Sequence, residues 1–474
     1  MRMPHDLIGF LVTALLGCSA ASENPAPGGS TGSSTGGSSG APGGAGYAGT
    51  AAADGGTSGA ALGGAAGSAG PPGCGGAAAA GGDGMNPGAS GSGGSVASGT
   101  PGEWQPMLQW PKETQPISGD AMLADPVRPS DFYFFYEEYQ TNGQPRHVLK
   151  STDYGETWNR VDETPVVGNP WGVAIDPNPC RDKNTPPTMY TPAGYGDMGV
   201  WKSTDGGVSW NNLFENASDG TVPKAGGGTV TFPPGKNGEH TDFYQIHILP
   251  DNPPNHILVT YHYGSGLLPL GESKDGGASW EVHLIPAGDS HYVYGVDAST
   301  WVIISGDGSN GGIYRTTTAG RIGGEISTDA WTKVDAMEHN HGGFTPWNDA
   351  AGGFLYFAGK QGIRRTDDGG ATWTSVYESS MSTLVATASN AYAEQLYDTK
   401  IFRASTVDGT SWSAIPNPSD PEWWGGVPPF GAASSFDGQH WVILQAEHGQ
   451  CSNNCQPARS PLLANGEIWR YVEP

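Results

Sequence analysis

The segment LKSTDYGETW, residues 149–158, recurs with small changes as WKSTDGGVSW (201–210), GESKDGGASW (271–280) and RRTDDGGATW (364–373). All four copies share the pattern Ser/Thr-x-Asp-x-Gly-x-Ser/Thr-Trp. The aspartate side chain can accept backbone N–H groups, the glycine permits positive φ, and the tryptophan supplies a large apolar anchor. We call this pattern the Asp turn and predict that each copy is a hairpin turn held to a core by its tryptophan.

Two further copies are irregular. In ASTVDGTSW, residues 404–412, Val407 stands where aspartate is expected. In TTTAGRIGGEISTDAW, residues 316–331, the first threonine, a glycine and the tryptophan are kept around an insertion. We therefore interpret the pattern as six related units of unequal length.

Each unit begins with two apolar segments before the Asp turn. Examples are AMLADP (121–126) with FYFFY (132–136), GVAIDP (172–177) with TMY (188–190), and YQIHILPD (244–251) with HILVTYHY (256–263). Two strands followed by a hairpin predict a four-stranded antiparallel blade. A last unit contains Trp469 but no Asp turn, so residues 103–474 are predicted to form an all-β propeller of seven blades, with six or eight also compatible.

The repeated segment resembles the Asp-box, or BNR repeat, of sialidases, xyloglucanases and sortilin-type receptors, over most of residues 120–470. In those families the box lies between the third and fourth strands of a blade, away from the substrate face. The resemblance therefore implies that the Asp turns are scaffold. It also implies that ligands bind at the opposite mouth, among loops that enter each first strand and join second to third strands.

The first 18 residues are predicted to be an export signal, because Arg2 precedes the short apolar run Leu7–Gly17. The run ends in LLGC, which resembles the bacterial lipobox and implies lipidation of Cys18. An ordinary signal peptide is the alternative. Ser19 after the cysteine implies the outer membrane or cell surface. Residues 19–102 are rich in Gly, Ala, Ser and Pro and are predicted to be a disordered tether.

The formal charge is −25. Residues 1–100 contribute −3, so −25 + 3 leaves −22 on the remainder, which argues against nucleic acid or a polyanion as a general partner.

Cys451 and Cys455 are spaced for a local disulfide, and a metal-binding pair is the alternative. Cys74 lies in the tether and Cys180 is left over.

The predicted mouth loops are rich in aromatic, histidine and carboxylate residues. Aromatic rings stack on pyranose faces and carboxylates accept hydroxyl hydrogen bonds, so the composition suits a sugar site, although each residue alone also fits a satisfied loop position. The catalytic candidates are Asp197, Asp289, Asp307, Glu447, Tyr263 and His291. The substrate-binding candidates are Trp171, Tyr195, His240, His262, Tyr292, His339, His341, Trp423, Trp424 and His448.

Three enzyme classes are compared. A sialidase would need an arginine triad and an Arg-Ile-Pro motif, and neither is evident. A xyloglucanase-like hydrolase would need two facing carboxylates, about 6.5–9.5 Å apart for inversion or about 5 Å for retention. Those enzymes generally hold substrate between two propellers, and this chain has room for one.

A polysaccharide lyase would use a tyrosine or histidine base and a cation to neutralise a uronate. The bases could come from Tyr261, Tyr263 or the loop histidines, with Lys360 or Arg459 as the cation. His339 and His341 could also bind a metal with His291, but we favour loop histidines bonded to backbone or water.

We predict an exported, lipid-anchored propeller that acts on extracellular polysaccharide, as a glycoside hydrolase ahead of a lyase. A non-catalytic propeller that binds glycan or protein is the alternative, and the sequence leaves catalysis itself open. We expect no cofactor or metal, no nucleic-acid partner, membrane contact through the lipid only, and a monomer.

Overall fold

The computed structural model describes residues 97–108, 118–137, 145–163, 166–167, 172–193, 199–233, 243–249, 255–261, 267–287, 290–306, 310–338, 353–395, 400–406, 409–416, 432–446 and 468–474. All of them belong to the larger of two compact units of the chain, residues 68–474. These ranges contain 32 strands and one short 3-10 helix, Thr328–Ala330. None of their helices has the length and hydropathy to span a bilayer.

The strands form seven antiparallel blades arranged as a propeller. Strand β1 (Trp104–Leu108) comes first in the chain but belongs to the last blade. Blade I contains β2 (Ser118–Ala124), β3 (Phe132–Glu137), β4 (Pro145–Ser151) and β5 (Asn159–Arg160), with β6 (Val166–Val167) beside β4. Blade II contains β7 (Ala174–Ile175), β8 (Met189–Ala193), β9 (Gly199–Ser203) and β10 (Asn211–Asn212). A separate hairpin follows, β11 (Thr221–Pro223) and β12 (Thr229–Thr231).

Blade III contains β13 (Phe243–Ile248), β14 (Ile257–Tyr261), β15 (Leu268–Ser273) and β16 (Glu281–Ile285). Blade IV contains β17 (Ser290–Gly295), β18 (Trp301–Ser305), β19 (Gly312–Thr316) and β22 (Thr332–Asp335), with the hairpin β20 (Arg321–Ile322) and β21 (Glu325–Ile326) inserted before β22. Of blade V the structure describes β23 (Leu355–Gly359), β24 (Gly362–Thr366) and β25 (Thr374–Tyr377).

Blade VI contains β26 (Met381–Ala386), β27 (Asn390–Gln395), β28 (Ile401–Ser405) and β29 (Ser413–Ile415). Blade VII contains β30 (Ala432–Phe436), β31 (Trp441–Ala446) and β32 (Ile468–Val472), and β1 is its outermost strand. The predicted all-β, seven-bladed fold is therefore confirmed.

Alternating strand direction gives each blade two edges. Connections from first to second strand and from third to fourth strand share one edge, which we call the Asp-turn edge because the Asp turns join third to fourth strands. Connections from second to third strand and those leading into a first strand share the other edge, the mouth edge. The strand order thus places the repeated segment and the predicted ligand loops at opposite ends of the blades.

The Asp turn of blade II shows why the pattern is repeated. Ser203 Oγ accepts the N–H of Gly207 at 2.9 Å and donates to Asp205 Oδ1 at 2.8 Å. Asp205 also accepts the backbone N–H and the hydroxyl of Ser209, and Trp210 Nε1 donates to the carbonyl of Gly207. The glycine has φ 90°, a conformation that favours glycine. The same five hydrogen bonds form in the turns that begin at Ser151, Ser273 and Thr366.

Apolar side chains fill the space between neighbouring blades. Phe134 of blade I packs in one cluster with Val442 of blade VII, and Val148 of blade I shares another with Met189 of blade II. Each of these side chains is fully buried. Burial of one such side chain stabilises the fold by about 1.5–3 kcal/mol, so the stacked blades hold the ring together.

The ring is closed by pairing the two ends of the described chain. Strand β1 pairs antiparallel with β32, with Trp104 opposite Tyr471 and Gln105 opposite Arg470. The buried Arg470 guanidinium bonds to Gln105 Oε1, to Ser98 and to Glu156 Oε1 at 2.7 Å. The sequence analysis did not anticipate this closure, because nothing local in β1 marks it as the outer strand of a distant blade.

Candidate functional site

The predicted site residues belong to chain segments attached at the mouth edge. Segments between second and third strands carry Tyr195, Asp197, His262, Tyr263, Asp307, Glu447 and His448. Segments after a fourth strand carry Trp171, His240, Asp289, His339, His341, Trp423 and Trp424. These residues lie outside the described ranges, as do Cys18, Cys451, Cys455 and Arg459, so their roles and mutual distances stay predictions.

The two remaining candidates, His291 and Tyr292, lie near the start of β17. Tyr292 is fully buried in the cluster that contains Ile304 and Phe357. Burial raises the pKa of its hydroxyl well above the ordinary value. This environment favours a packing role for the Tyr292 ring, and its part in substrate binding remains a prediction.

Two residues considered for lyase chemistry are engaged in structural contacts. Tyr261 is fully buried, with its ring centroid 5.3 Å from that of Phe243. Lys360 lies in the turn between β23 and β24 and pairs with Glu338, Nζ to Oε2 at 3.1 Å. A buried ring and a cation already paired with a carboxylate do not favour a base and a uronate-binding group at these positions.

A histidine–aspartate pair at the mouth edge of blade I was missed by the sequence analysis. His147 Nδ1 donates to Asp162 Oδ2 at 2.9 Å, and Asp162 Oδ1 accepts the N–H of Val148 at 2.8 Å. Burial would raise the pKa of Asp162, but the hydrogen bonds from His147 and Val148 outweigh it and hold the pKa below its ordinary value. The pair fixes the imidazole and ties the chain after the short β5 to β4. In the sequence, only the presence of a histidine within PRHVLKS, residues 145–151, could have signalled the pair.

The first strand of blade III adds two polar residues next to blade IV. Gln245 Oε1 accepts the N–H of Val293 at 2.8 Å, which joins the first strands of the two blades. His247 Nε2 lies 3.3 Å from the carbonyl of Gly295, with its ring 4.6 Å from that of Tyr294. Burial lowers the pKa of His247 to about 4, so the imidazole is neutral near pH 7.

A buried cluster of charged groups lies around Glu272 at the Asp-turn edge. Glu272 is buried and accepts from His256 Nε2 at 2.9 Å, His283 Nε2 at 3.0 Å and the Arg321 guanidinium at 2.7 Å. Burial would raise the pKa of Glu272, but these donors hold it far below its ordinary value. We call this group the Glu272 cluster. Each carboxylate oxygen is occupied by protein donors, and no metal-binding group of three His, Cys, Asp or Glu residues occurs in the described ranges.

The sequence is similar to those of xyloglucanases over about half of the chain. The chain is 25% identical over 301 residues to a xyloglucanase of Paenibacillus sp, covering 55% of this chain and 26% of that protein. It is 26% identical over 307 residues to xyloglucanase Xgh74A of Acetivibrio thermocellus, covering 55% of this chain and 32% of that protein. The match thus spans about a quarter to a third of these relatives. No family model matches the chain.

Similarity to solved structures is confined to the fold. YCF48 from Cyanidioschyzon merolae superimposes with a TM-score of 0.41 at 14% identity, covering 78% of this chain and 98% of that one.

Proposed function

We propose that this protein is an exported, lipid-anchored propeller that hydrolyses an extracellular polysaccharide of the β-glucan class at its mouth edge. The observation that carries the proposal is the similarity to a xyloglucanase over 301 residues, more than half of this chain. The propeller fold and the position of the carboxylate-bearing segments on one edge support it.

The proposed chemistry needs two carboxyl groups that act as a pair. The pair would be drawn from Asp197, Asp289, Asp307 and Glu447, which belong to blades II, III–IV, IV and VII by chain position. One group protonates the glycosidic oxygen, and the other activates water or attacks the sugar, depending on their separation. Tryptophans such as Trp423 and Trp424 would stack on sugar rings and orient the chain.

The test uses the full chain, produced with export and purified from membranes in mild detergent. Purified xyloglucan, mixed-linkage glucan and cellulose are each incubated with it, and new reducing ends are measured. Asp197→Asn, Asp289→Asn, Asp307→Asn and Glu447→Gln are compared with Asp367→Asn, a matched change of an exposed carboxylate at the Asp-turn edge. Loss of a general acid or base should lower the rate by about 10²-fold or more, and Asp367→Asn should leave it unchanged.

Other outcomes separate the competing functions. If uronate polysaccharides are the substrate and the absorbance of unsaturated uronates appears, the protein is a lyase and not a hydrolase. Saturable glycan binding without any product would favour the non-catalytic propeller. For the anchor, Cys18→Ser should move the protein from the membrane fraction to the soluble fraction, and retention in the membrane would contradict lipidation at Cys18.

A further inference from the structure

Cys180, which the sequence analysis left without a partner, is disulfide-bonded. It lies between β7 and β8, a first-to-second-strand connection of blade II at the Asp-turn edge. The backbone here is held in place: Cys180 N–H bonds to Asn178 Oδ1 at 2.9 Å, and the buried Arg181 pairs with Asp125 of blade I. The sulfur therefore has a fixed place on the Asp-turn edge, and its partner must reach that place.

Cys451 and Cys455 are attached at the opposite edge, two blades away. Both follow β31, whose last residue, Ala446, ends at the mouth edge of blade VII. Cys451 is 451 − 446 = 5 residues beyond it, a reach of about 18 Å, while the six residues of β31 alone span about 20 Å. Cys455, 455 − 446 = 9 residues beyond, reaches about 31 Å, but its path must also pass round blade I. Their positions favour pairing with each other.

The amino-terminal side of the chain meets the propeller at the Asp-turn edge. Ala97 N–H donates to Asp437 Oδ2 in the first-to-second-strand connection of blade VII, at 3.1 Å. Ser98 bonds to Glu156 of the first Asp turn and to Arg470. Cys74 precedes Ala97 by 97 − 74 = 23 residues, a maximum reach of about 80 Å, so distance does not restrict it.

We propose that Cys74 is the disulfide partner of Cys180. Of the four other cysteines, Cys18 is set aside because the proposed function places the lipid on it, and Cys451 and Cys455 are attached at the opposite edge. In forming the bond, the two thiols lose two protons and two electrons to a disulfide oxidant of the extracytoplasmic compartment, which is itself reduced to a dithiol. Residues 74–97 would thereby be held to the Asp-turn edge at both ends, by the bond to Cys180 and by the contact of Ala97 with Asp437.

The decisive experiment maps disulfides in the full exported chain. Free thiols are alkylated under denaturing conditions, and a protease that cleaves before aspartate releases residues 54–82 with Cys74, 176–181 with Cys180, and 437–474 with Cys451 and Cys455. We expect a species in which 54–82 is linked to 176–181 and which separates on reduction. We also expect 437–474 to be two hydrogens lighter than its dithiol form.

The test does not depend on the hydrolase proposal, because it measures peptide masses and the alkylation of cysteines and not enzyme activity. Two variants sharpen it. Cys74→Ser should leave Cys180 fully alkylated, and Cys451→Ser should leave the 54–82 to 176–181 link intact. A link from 176–181 to 437–474, a link to the peptide that carries Cys18, or an alkylated Cys180 in the parent protein would each overturn the proposal.

Discussion

The regular Asp turns and the irregular turn of blade IV achieve the same chain reversal by different interactions. In a regular turn such as Ser203–Trp210, the aspartate and the tryptophan both bond within the turn. In blade IV, Gly320 N–H still bonds to Thr316 Oγ1 at 3.0 Å, but no carboxylate follows. The backbone N–H of Ser327 donates to the carbonyl of Gly320, the acceptor that the tryptophan uses in a regular turn. Trp331 Nε1 has no hydrogen-bond partner within the described part of the chain.

The inserted segment replaces these local bonds with contacts to the preceding blade. Arg321 reaches Glu272 and Glu281 of blade III, and the buried His283 lies beside Gly320, where an added Cβ would approach Nδ1 to 2.7 Å. A regular turn is thus a self-contained unit, whereas the turn of blade IV depends on its neighbour. The comparison predicts that mutations in the Glu272 cluster have larger effects than equivalent mutations in a regular turn.

The largest effect is expected for Glu272→Gln. The change removes the fully buried negative charge opposite Arg321 while leaving the cation in place, and breaking a buried ion pair costs about 3–5 kcal/mol. Urea unfolding of the purified protein measures the loss. The control is Glu281→Gln, whose carboxylate is partly exposed and should contribute less. Equal effects of the two variants would contradict the central role of Glu272.

Acidification should remove the same contribution gradually. The pKa of Glu272 is held below its ordinary value of 4.5, so its stabilising effect is complete above about pH 4.5 and is lost as the pH falls below it. As the pH is lowered from 4.5, the free energy of unfolding of the parent protein should therefore fall toward that of Glu272→Gln. A difference between them that grows on acidification would contradict the assigned direction of the shift.

A smaller effect is expected inside a regular turn. Asp205→Ala removes three accepted hydrogen bonds, from Ser203 and from the N–H and hydroxyl of Ser209, and should cost about 1–3 kcal/mol. Thr318→Ala, at the corresponding position of the irregular turn, should change the free energy of unfolding by less than about 0.5 kcal/mol. Thermal unfolding of both variants checks the contrast.

The smallest effect distinguishes the two tryptophans. Trp210 and Trp331 are both 6% exposed, but only Trp210 donates its indole N–H, to Gly207. Trp210→Phe should therefore cost about 1 kcal/mol more than Trp331→Phe, in which no hydrogen bond is lost. Equal losses in urea unfolding would show that the indole hydrogen bond does not stabilise the regular turn.

Local sequence patterns were enough to predict most of the fold but gave little information about the functional site. The Asp turn could be predicted because its five hydrogen bonds join residues within eight positions, and the blades followed from the apolar segments before it. The pairing of Glu272 with Arg321, 49 residues away, and of β1 with β32 depends on how distant segments meet in the ring. The mouth segments have no repeated pattern, so residue type alone selected Asp197 and its companions.

The pairing of β1 with β32 also sets an order on synthesis. Gln105 is synthesised 365 residues before its partner Arg470. The outer strand of blade VII therefore cannot pair until β32 has been synthesised. Contacts of such long sequence separation form late in folding. A chain that ends prematurely would keep unpaired strand edges, which promote aggregation. Closure of the ring therefore requires that synthesis has passed β32.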